Sequence, residues 1–421
     1  MIKKDSKLKN LVVSLEISSS KIISLIGEIL VDNTINIIGI GRCKSNGIDK
    51  GNIVDLESVT NSIKNSINQA ELMSDYKISS VYLSISGKDI NFQNETGLIT
   101  LNENSDITQN DINNVIKNAS LVKLKDHHKI IHIIPQEYII DKKYGIINPI
   151  GLSGIKLKVI ANLITCSNDT IKNLVRIVER CNIKVDKLIY SGLSSSYSVL
   201  TNDEKKLGVC LIDMGGETID IIIYIDGILR LIKVIPYAGN LVTNDISYAF
   251  NISSSYADLL KFKYGTLSEL SSNNDDTVNI PNFNDLNIKK SIKKKELYKV
   301  IKSRYIELFN LINNEIINLQ NKLIRGKYKY FLSAGIVITG GSSKIDGILS
   351  CAYKIFKKEV RIGYPQNIVG LTDYVQLPDY STSVGLLHYG KLCNNLNKPD
   401  YSNSITKILI KKCEKFLKKI I

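Results

Sequence analysis

One local pattern occurs twice in this chain, and it restricts the available folds more than any other feature. Val12–Ile17 is an apolar run that takes in an acid, Glu16. Ser18, Ser19 and Ser20 follow, then Lys21 and a second apolar run. Val209–Met214 is again apolar up to an acid, Asp213, after which Gly215, Gly216, Glu217 and Thr218 lead into Ile219, Asp220 and Ile221. Each reads as a strand, a tight turn of small residues and a returning strand. The two acids stand 197 positions apart, which suits two domains of similar build in tandem. A chain of 421 residues also exceeds the roughly 250–300 at which a single core stops growing.

Such hairpins suit polyphosphate chemistry. A tight turn of small residues aims several main-chain N–H groups at one point and makes an anion-binding concavity. Glycine or serine keeps Cβ bulk away from an approaching phosphate oxygen. A carboxylate just before the turn can position hydrated Mg²⁺, which makes Glu16 and Asp213 the candidates for metal positioning. A third element, Gly335–Thr339 followed by Gly340, Gly341, Ser342 and Ser343, is a buried strand running into adjacent glycines. A helix with Ile345, Ile348 and Leu349 on its apolar face is expected next. Adjacent glycines let a purine–ribose unit lie against backbone, and a helix N-terminus adds partial positive charge.

Composition narrows the class. Hydrophobic content of 43% and charged content of 23% describe a folded globular chain, and no stretch approaches the roughly 20 apolar residues of a bilayer span. The run Leu11–Leu15 stops at Glu16 and does not read as a signal peptide. Seven scattered cysteines without a C-x-x-C pair give neither a zinc site nor a disulfide framework and point to a reducing cytoplasm. The net charge of +14 attracts anionic partners, but no nucleic-acid motif accompanies the lysines, and no nucleic-acid partner is expected. His127, His128 and His132 lack acidic or cysteine partners at ligand spacing and read as surface or strand residues. No G-x-S-x-G elbow is present.

Along the chain, strands are expected over residues 10–42, with the third at Thr34–Gly41. A helix follows over Asp55–Asp75, with Leu56, Val59, Ile63, Ile67 and Ala70 at helical spacing, and then a strand over Ile78–Ser86. Residues from about 87 to 164 have βαβ-like content of their own, including a helix from Thr108 to about Leu121. Lys156–Cys166 reads as a strand and Asp169–Cys181 as a helix. Gly208–Ile235 is β-rich. Leu267–Lys295 is poor in large apolar residues and reads as a mobile surface excursion. Tyr305–Leu323 is a long amphipathic helix, and Ala334–Ile338 a strand. Asn394–Ser404 is a polar linker.

The three elements, in this order and separation, resemble the phosphate-1, phosphate-2 and adenosine motifs of the actin/Hsp70/sugar-kinase superfamily. Within it the chain resembles the FtsA family of bacterial cell-division proteins over nearly its whole length. The stretches that carry this are Asp49–Gly51 with Asp55–Glu57, Ser79–Tyr82 with Ser86–Lys88, Ile134–Tyr138, Asn148–Gly154, Gly192–Leu200, Pro236–Asn240 and Ser383–Gly390. The resemblance implies an α/β, two-lobed actin-like ATPase fold with a family-specific inserted subdomain in the first lobe.

The implied divisions are a lobe 1 core at 10–83 with 166–200 and 367–393, and the insertion, subdomain 1C, at 84–165. A lobe 2 core lies at 201–245 with 305–366, and an outer subdomain, 2B, at 246–304. A linker at 394–404 leads to a membrane-targeting helix at 405–421. The resemblance also implies ATP and Mg²⁺ in the cleft, with at most weak hydrolysis. Ser18, Ser19, Ser20 and Lys21 form the first phosphate loop, and Asp213, Gly215, Gly216 and Thr218 the second. Asp213 holds Mg²⁺ through water. Gly340, Gly341 and Ser342 face adenosine and the inner phosphates, and Asp258 and Lys261 meet ribose or adenine. Implied partners are the C-terminal tail of FtsZ, further copies of the chain in a protofilament, other division proteins through subdomain 1C, and the anionic inner membrane. The implied location is the cytoplasmic face of that membrane at the division site, in septum formation.

Two positions depart from the family pattern: Ser18 and Glu217 stand where glycine is usual. A unit charge pair about 4 Å apart interacts by roughly 4 kcal/mol at an effective dielectric near 20, so Glu217 beside a triphosphate predicts weakened ATP binding or hydrolysis.

Residues 405–421 divide into two faces at helical period. Ile405, Ile408, Leu409, Cys413, Phe416, Leu417, Ile420 and Ile421 make one. Lys407, Lys411, Lys412, Lys415, Lys418 and Lys419 make the other. A lysine near an anionic leaflet contributes about 1 kcal/mol, and 17 residues suit the interface better than a span. The competing class is an actin-fold sugar or acid kinase, which needs a catalytic base aimed at a substrate hydroxyl; no candidate base stands out. A chaperone-type ATPase needs a further peptide-binding domain.

Overall fold

A computed structural model describes residues 10–49, 52–102, 106–268, 276–281, 289–324 and 331–397. It divides into two compact units. The first runs to Ser198 and adds Asn367–Tyr374 and the chain from Thr382; the second is Val199–Gln366 with Val375–Ser381.

The first unit is built on a six-stranded mixed sheet in the order Lys184–Tyr190, Ser80–Ile85, Leu11–Ile17, Lys21–Ile29, Ile35–Lys44, Ile368–Gly370. Leu11–Ile17 pairs antiparallel with the returning strand on one side and parallel with Ser80–Ile85 on the other. It is buried along nearly its whole length, which is why its sequence is apolar apart from Ser14 and Glu16. Helix Leu56–Ser74 starts where expected, because the Asp55 carboxylate accepts from the N–H groups of Glu57 and Ser58. It sets Val59, Ile63, Ile67 and Ala70 against Leu15, Ile22 and Ile26. The contact is close: a Cβ on Gly41 would lie 1.6 Å from the Ser66 carbonyl oxygen. Helix Asn168–Glu179 half-buries Ile171, Leu174 and Val175 and fully buries Val178 and Ile177, the last outside the expected stripe.

Within this unit, residues 91–167 form a separate layer. Its four strands lie in the order Asn91–Thr100, Lys156–Ser167, His128–Ile140, Lys143–Ile146, all antiparallel to their neighbours. Helix Gln109–Ser120 opens with a capping box between Thr108 and Asp111. The βαβ-like content is realised in split form. Asn91–Thr100 and His128–Ile140 run in the same direction, with Lys156–Ser167 inserted between them. One histidine of the trio is deeply buried: His132 Nε2 accepts from the Tyr190 N–H at 3.1 Å, and its ring meets Tyr389 edge-on. Burial pushes its pKa down to about 3, with Lys187 adding to the fall.

The second unit repeats the plan on a five-stranded sheet ordered Ile228–Ile235, Ile219–Ile225, Val209–Met214, Ile336–Thr339, Val360–Ile362. Val209–Met214 again has its hairpin partner antiparallel on one side and a parallel strand on the other. Helices Gly239–Phe250, Ser254–Tyr264 and Lys294–Ile324 pack beside it around Ile246, Leu260, Ile301, Tyr305 and Phe309.

Several expectations need correction. The described part of Leu267–Lys295 is an ordered hairpin, Thr277–Pro281 paired with Lys289–Lys293, that buries Val278, Ile280 and Ile292. A few well-placed apolar residues suffice because the hairpin rests on a helix. That helix begins at Lys294, well before Tyr305. Leu297 and Ile301 continue its buried stripe beneath the exposed lysines that masked it. After Gly340 comes one turn of 3₁₀-helix, Gly341–Lys344, and the α-helix waits until Ile348. On that helix Leu349 faces solvent, and the buried positions are Ile348, Cys351, Ala352 and Phe356. Helix Ser381–Asn397 extends through the first four positions of the expected linker. The remainder of 394–404 and the whole of 405–421 lie outside the described residues. Among the described residues, no helix is long and apolar enough to cross a membrane.

His132 yields a pH prediction. An unfolded histidine takes a proton near pH 6.5 and the folded one near 3, so the unfolded state binds more protons in that window and stability rises with pH there. The contribution is complete above the unfolded value. The stability advantage of the native chain over His132→Asn should therefore shrink by up to about 1.4 kcal/mol per unit as pH falls below roughly 6.5. Urea unfolding of both chains at neutral and mildly acidic pH checks this.

Candidate functional site

The first hairpin turns on Ser18, whose N–H and Oγ both donate to the Lys21 carbonyl, at 3.0 and 2.8 Å. Serine meets the need because φ here is not in the left-handed region, where glycine would be required. Glu16, at the end of the buried strand, is only 6% exposed. It accepts from the Ser383 hydroxyl and lies 3.8 Å from the Lys21 ammonium. Lys21 and Glu16 thus form a compensated pair inside the first unit. Beside them lies a cavity of about 250 Å³ lined by Ser18 and Ser19 together with Ser84, Ser86, Thr170 and Asn173. Sequence reading assigned none of the last four a role, because hydroxyl and amide residues near strand and helix ends carry no spacing signal.

The second hairpin is fixed through its carbonyls. Gly215 N–H donates to the Thr218 carbonyl at 2.9 Å and closes the turn. The Gly215 carbonyl accepts from the Ser342 hydroxyl at 2.7 Å and from the Gly239 N–H at 3.3 Å. The Gly216 carbonyl accepts from the Asn240 N–H at 2.7 Å. A Cβ on Gly239 would fall 2.0 Å from Ser342 Oγ and displace that hydroxyl from its bond to Gly215. Asp213 is 8% exposed at the strand end, and Asp220 faces it in register across the hairpin. Directly opposed residues share a face of the sheet, so two buried carboxylates stand side by side. Sequence reading did not single out Asp220; its signal was the in-register acid on the returning strand.

The third element packs on the second. Gly340 has φ +89°, and a Cβ there would lie 2.4 Å from Asp213 Oδ1 and 2.5 Å from the Met214 carbonyl. Its N–H donates to Pro378. Ser342 is nearly buried, with its carbonyl accepting from the Tyr305 hydroxyl at 2.8 Å. Its hydroxyl is spent on Gly215, so this serine staples two motifs together. Lys344, two positions on, pairs with Asp379 at 2.7 Å.

Asp258 and Lys261 lie one helical turn apart on Ser254–Tyr264 and meet at 2.7 Å. Lys261 is 3% exposed, and its ammonium donates to Asp258, to the Thr243 hydroxyl and, at 3.2 Å, to the Gly239 carbonyl. Burial draws its pKa down while Asp258 resists. The ammonium therefore braces Gly239, which braces Gly215; of the pair, it is the half-exposed Asp258 that faces outward.

The profile of Cell division protein FtsA matches residues 210–385, and that of the SHS2 domain inserted in FTSA matches residues 87–165. The chain is 51% identical to Cell division protein FtsA of Escherichia coli strain K12 over 383 residues, 91% of each chain. It is 52% identical to that of Buchnera aphidicola subsp. Schizaphis graminum over 386 residues, 92% of each, and 37% identical to that of Pseudomonas aeruginosa over 380. The chain belongs to the FtsA family of cell-division proteins. Among solved structures it is similar to the PilM–PilN type IV pilus biogenesis complex, with TM-score 0.66 and 12% identity over 91% of this chain and 99% of that one. It is also similar to MreB5 of Spiroplasma citri bound to ADP, with TM-score 0.53 and 14% identity over 92% and 98%. These likenesses establish the actin-like ATPase fold. The SHS2 match of this FtsA-family chain covers the four-stranded antiparallel layer and its helix.

Replacing Lys261 by methionine removes three bonds from one ammonium and leaves the Gly239 carbonyl without that donor. Bonds to charged groups contribute about 1.5–3 kcal/mol. Urea unfolding should show a loss near the lower end of that range, because Asp258 is half-exposed and regains water.

Proposed function

We propose that the protein binds Mg-ATP, polymerises on the inner membrane and tethers the FtsZ ring to it, recruiting later division proteins. The observation that carries the reading is the repeated hairpin. In each unit an acid ends a doubly flanked strand, and a turn of small residues follows that is closed by a bond from its first N–H to a carbonyl and offers backbone with little side-chain bulk to an anion. Ser18–Lys21 and Gly215–Thr218 take phosphate oxygens. Gly340 and Gly341 lie against the nucleoside, and Asp258 reaches the ribose. Lys261 acts through Gly239.

The residues fit Mg²⁺. Asp213 and Asp220 are hard oxygen ligands standing together, and a cation relieves their mutual repulsion. Among the described residues, no cluster of three or more His, Cys, Asp or Glu could enclose a metal, and phosphate oxygens and water would complete the shell of an ion held by Asp213 and Asp220. Bound there, Mg²⁺ neutralises phosphate charge. Glu16, already paired with Lys21 and Ser383, leaves the metal-positioning role to Asp213. Neither Ser18 nor Glu217 distorts its turn, so ATP binding persists with reduced affinity.

Subdomain 1C serves other division proteins. The outer subdomain, 246–304, takes the C-terminal tail of FtsZ. Residues 405–421 lie on the anionic leaflet on the cytoplasmic side. Titration calorimetry should give heat on adding Mg-ATP. Asp213→Asn should reduce the affinity in Mg²⁺ about tenfold or more, corresponding to ~1.4 kcal/mol, toward the value without Mg²⁺. No heat from the folded native chain would refute nucleotide binding. Sedimentation with anionic liposomes should be lost on deleting residues 405–421; retention refutes the anchor.

A further inference from the structure

We propose that Lys344 and Asp379 are positioning residues for the nucleoside part of the nucleotide site, their ion pair holding the turn at Gly340 and Gly341 in the shape that receives it. The inference rests on the nucleotide reading above and gives these two residues a role in it. Adjacent glycines are conformationally permissive, so their own preferences do not fix the turn. Its shape has to come from bonds to its surroundings. At the front, the Gly340 N–H donates to the Pro378 carbonyl at 3.1 Å. Within the turn, the Ser343 N–H and hydroxyl both donate to the Gly340 carbonyl, at 3.2 and 2.7 Å. At the back, the Lys344 ammonium lies 2.7 Å from Asp379 Oδ1.

Pro378 and Asp379 are neighbours on one turn of 3₁₀-helix, Pro378–Tyr380, which the Tyr380 N–H closes onto the Leu377 carbonyl at 3.0 Å. Both ends of the segment from Gly340 to Lys344 are therefore tied to adjacent residues of one short element. Gly341, between the ties, lies against Asp379: a Cβ built on it would stand 3.9 Å from the Asp379 Cβ. The Asp379 side chain is 3% exposed and that of Lys344 33%. A carboxylate buried so deeply is costly without a counter-charge, so Asp379 holds the ammonium in one place, and with it the chain that carries Gly341 and Ser342. A turn already held in place loses less freedom when a ligand arrives. The pair acts on the side of the site that takes the nucleoside, whereas Asp213 acts on the cation.

Titration calorimetry of the full chain with Mg-ATP and with Mg-ADP tests this. Lys344→Met and Asp379→Asn should each lower the affinity about three- to tenfold, the range expected when one more group has to be ordered on binding. The factor should be the same for ATP and ADP, which share the nucleoside, and the response to Mg²⁺ should stay that of the native chain, unlike that of Asp213→Asn. Lys344→Arg keeps the charge and should restore most of the affinity. In the double variant the second substitution should cost little beyond the first, because the two residues act as one. Asp379→Asn leaves no buried charge behind and keeps the test open should Lys344→Met fail to fold. Native affinity in either single variant, or an arginine variant as weak as the methionine one, overturns the proposal and leaves nucleotide binding standing. Single losses that multiply in the double variant overturn the pair, and a loss confined to ATP overturns the nucleoside assignment. A native chain that binds neither nucleotide overturns the nucleotide reading and this inference with it.

Discussion

The setting of the second hairpin depends on where the carbonyls of Gly215 and Gly216 are spent. Three donors take them: the Ser342 hydroxyl and the N–H groups of Gly239 and Asn240. These bonds turn the oxygens of the loop toward protein. A hairpin whose carbonyls pointed outward would repel the anion its amides attract, so the direction of these few bonds decides whether the turn can serve phosphate at all. Gly340 is glycine because its left-handed φ and its approach to the Met214 carbonyl leave no room for a Cβ, and a Cβ on Gly239 would push aside the Ser342 hydroxyl.

Charge is handled differently in the two units. In the first, Glu16 is offset by Lys21 and by the Ser383 hydroxyl and carries little uncompensated field. In the second, Asp213 and Asp220 face each other in register across the hairpin, two buried acids on one face of the sheet. Lys261, which the family resemblance sets at ribose or adenine, is enclosed by Asp258, Thr243 and Gly239. A buried ammonium is tolerated only with such partners, so its burial and its bracing role have one cause.

Much of this was legible from residues alone. The repeated strand–acid–turn–strand pattern is realised twice with the same mixture of antiparallel and parallel neighbours, and it was readable because buried central strands are mostly apolar up to the acid near their end. Helix Leu56–Ser74 was readable to the residue, since Asp55 caps it and Asp75 ends it in the left-handed region. The hairpin 277–293 and the early start of the long helix were not. There Val278, Ile280, Ile292 and Leu297 are isolated among polar and lysine-rich neighbours, and only packing against distant segments shows that they are core. Asp220, Ser84, Thr170 and Asn173 escaped notice because register and folding bring them to the hairpins, whereas spacing along the chain does not.

The backbone at Ser18 and Glu217 has a practical bearing on how relatives are recognised. Both residues make their turns with ordinary negative φ, so nothing in the main chain demands glycine at either place. A search pattern written with obligatory glycines there would pass over this chain and others built like it. A pattern anchored on Gly340, where a methyl group would meet the Met214 carbonyl at left-handed φ, would keep them.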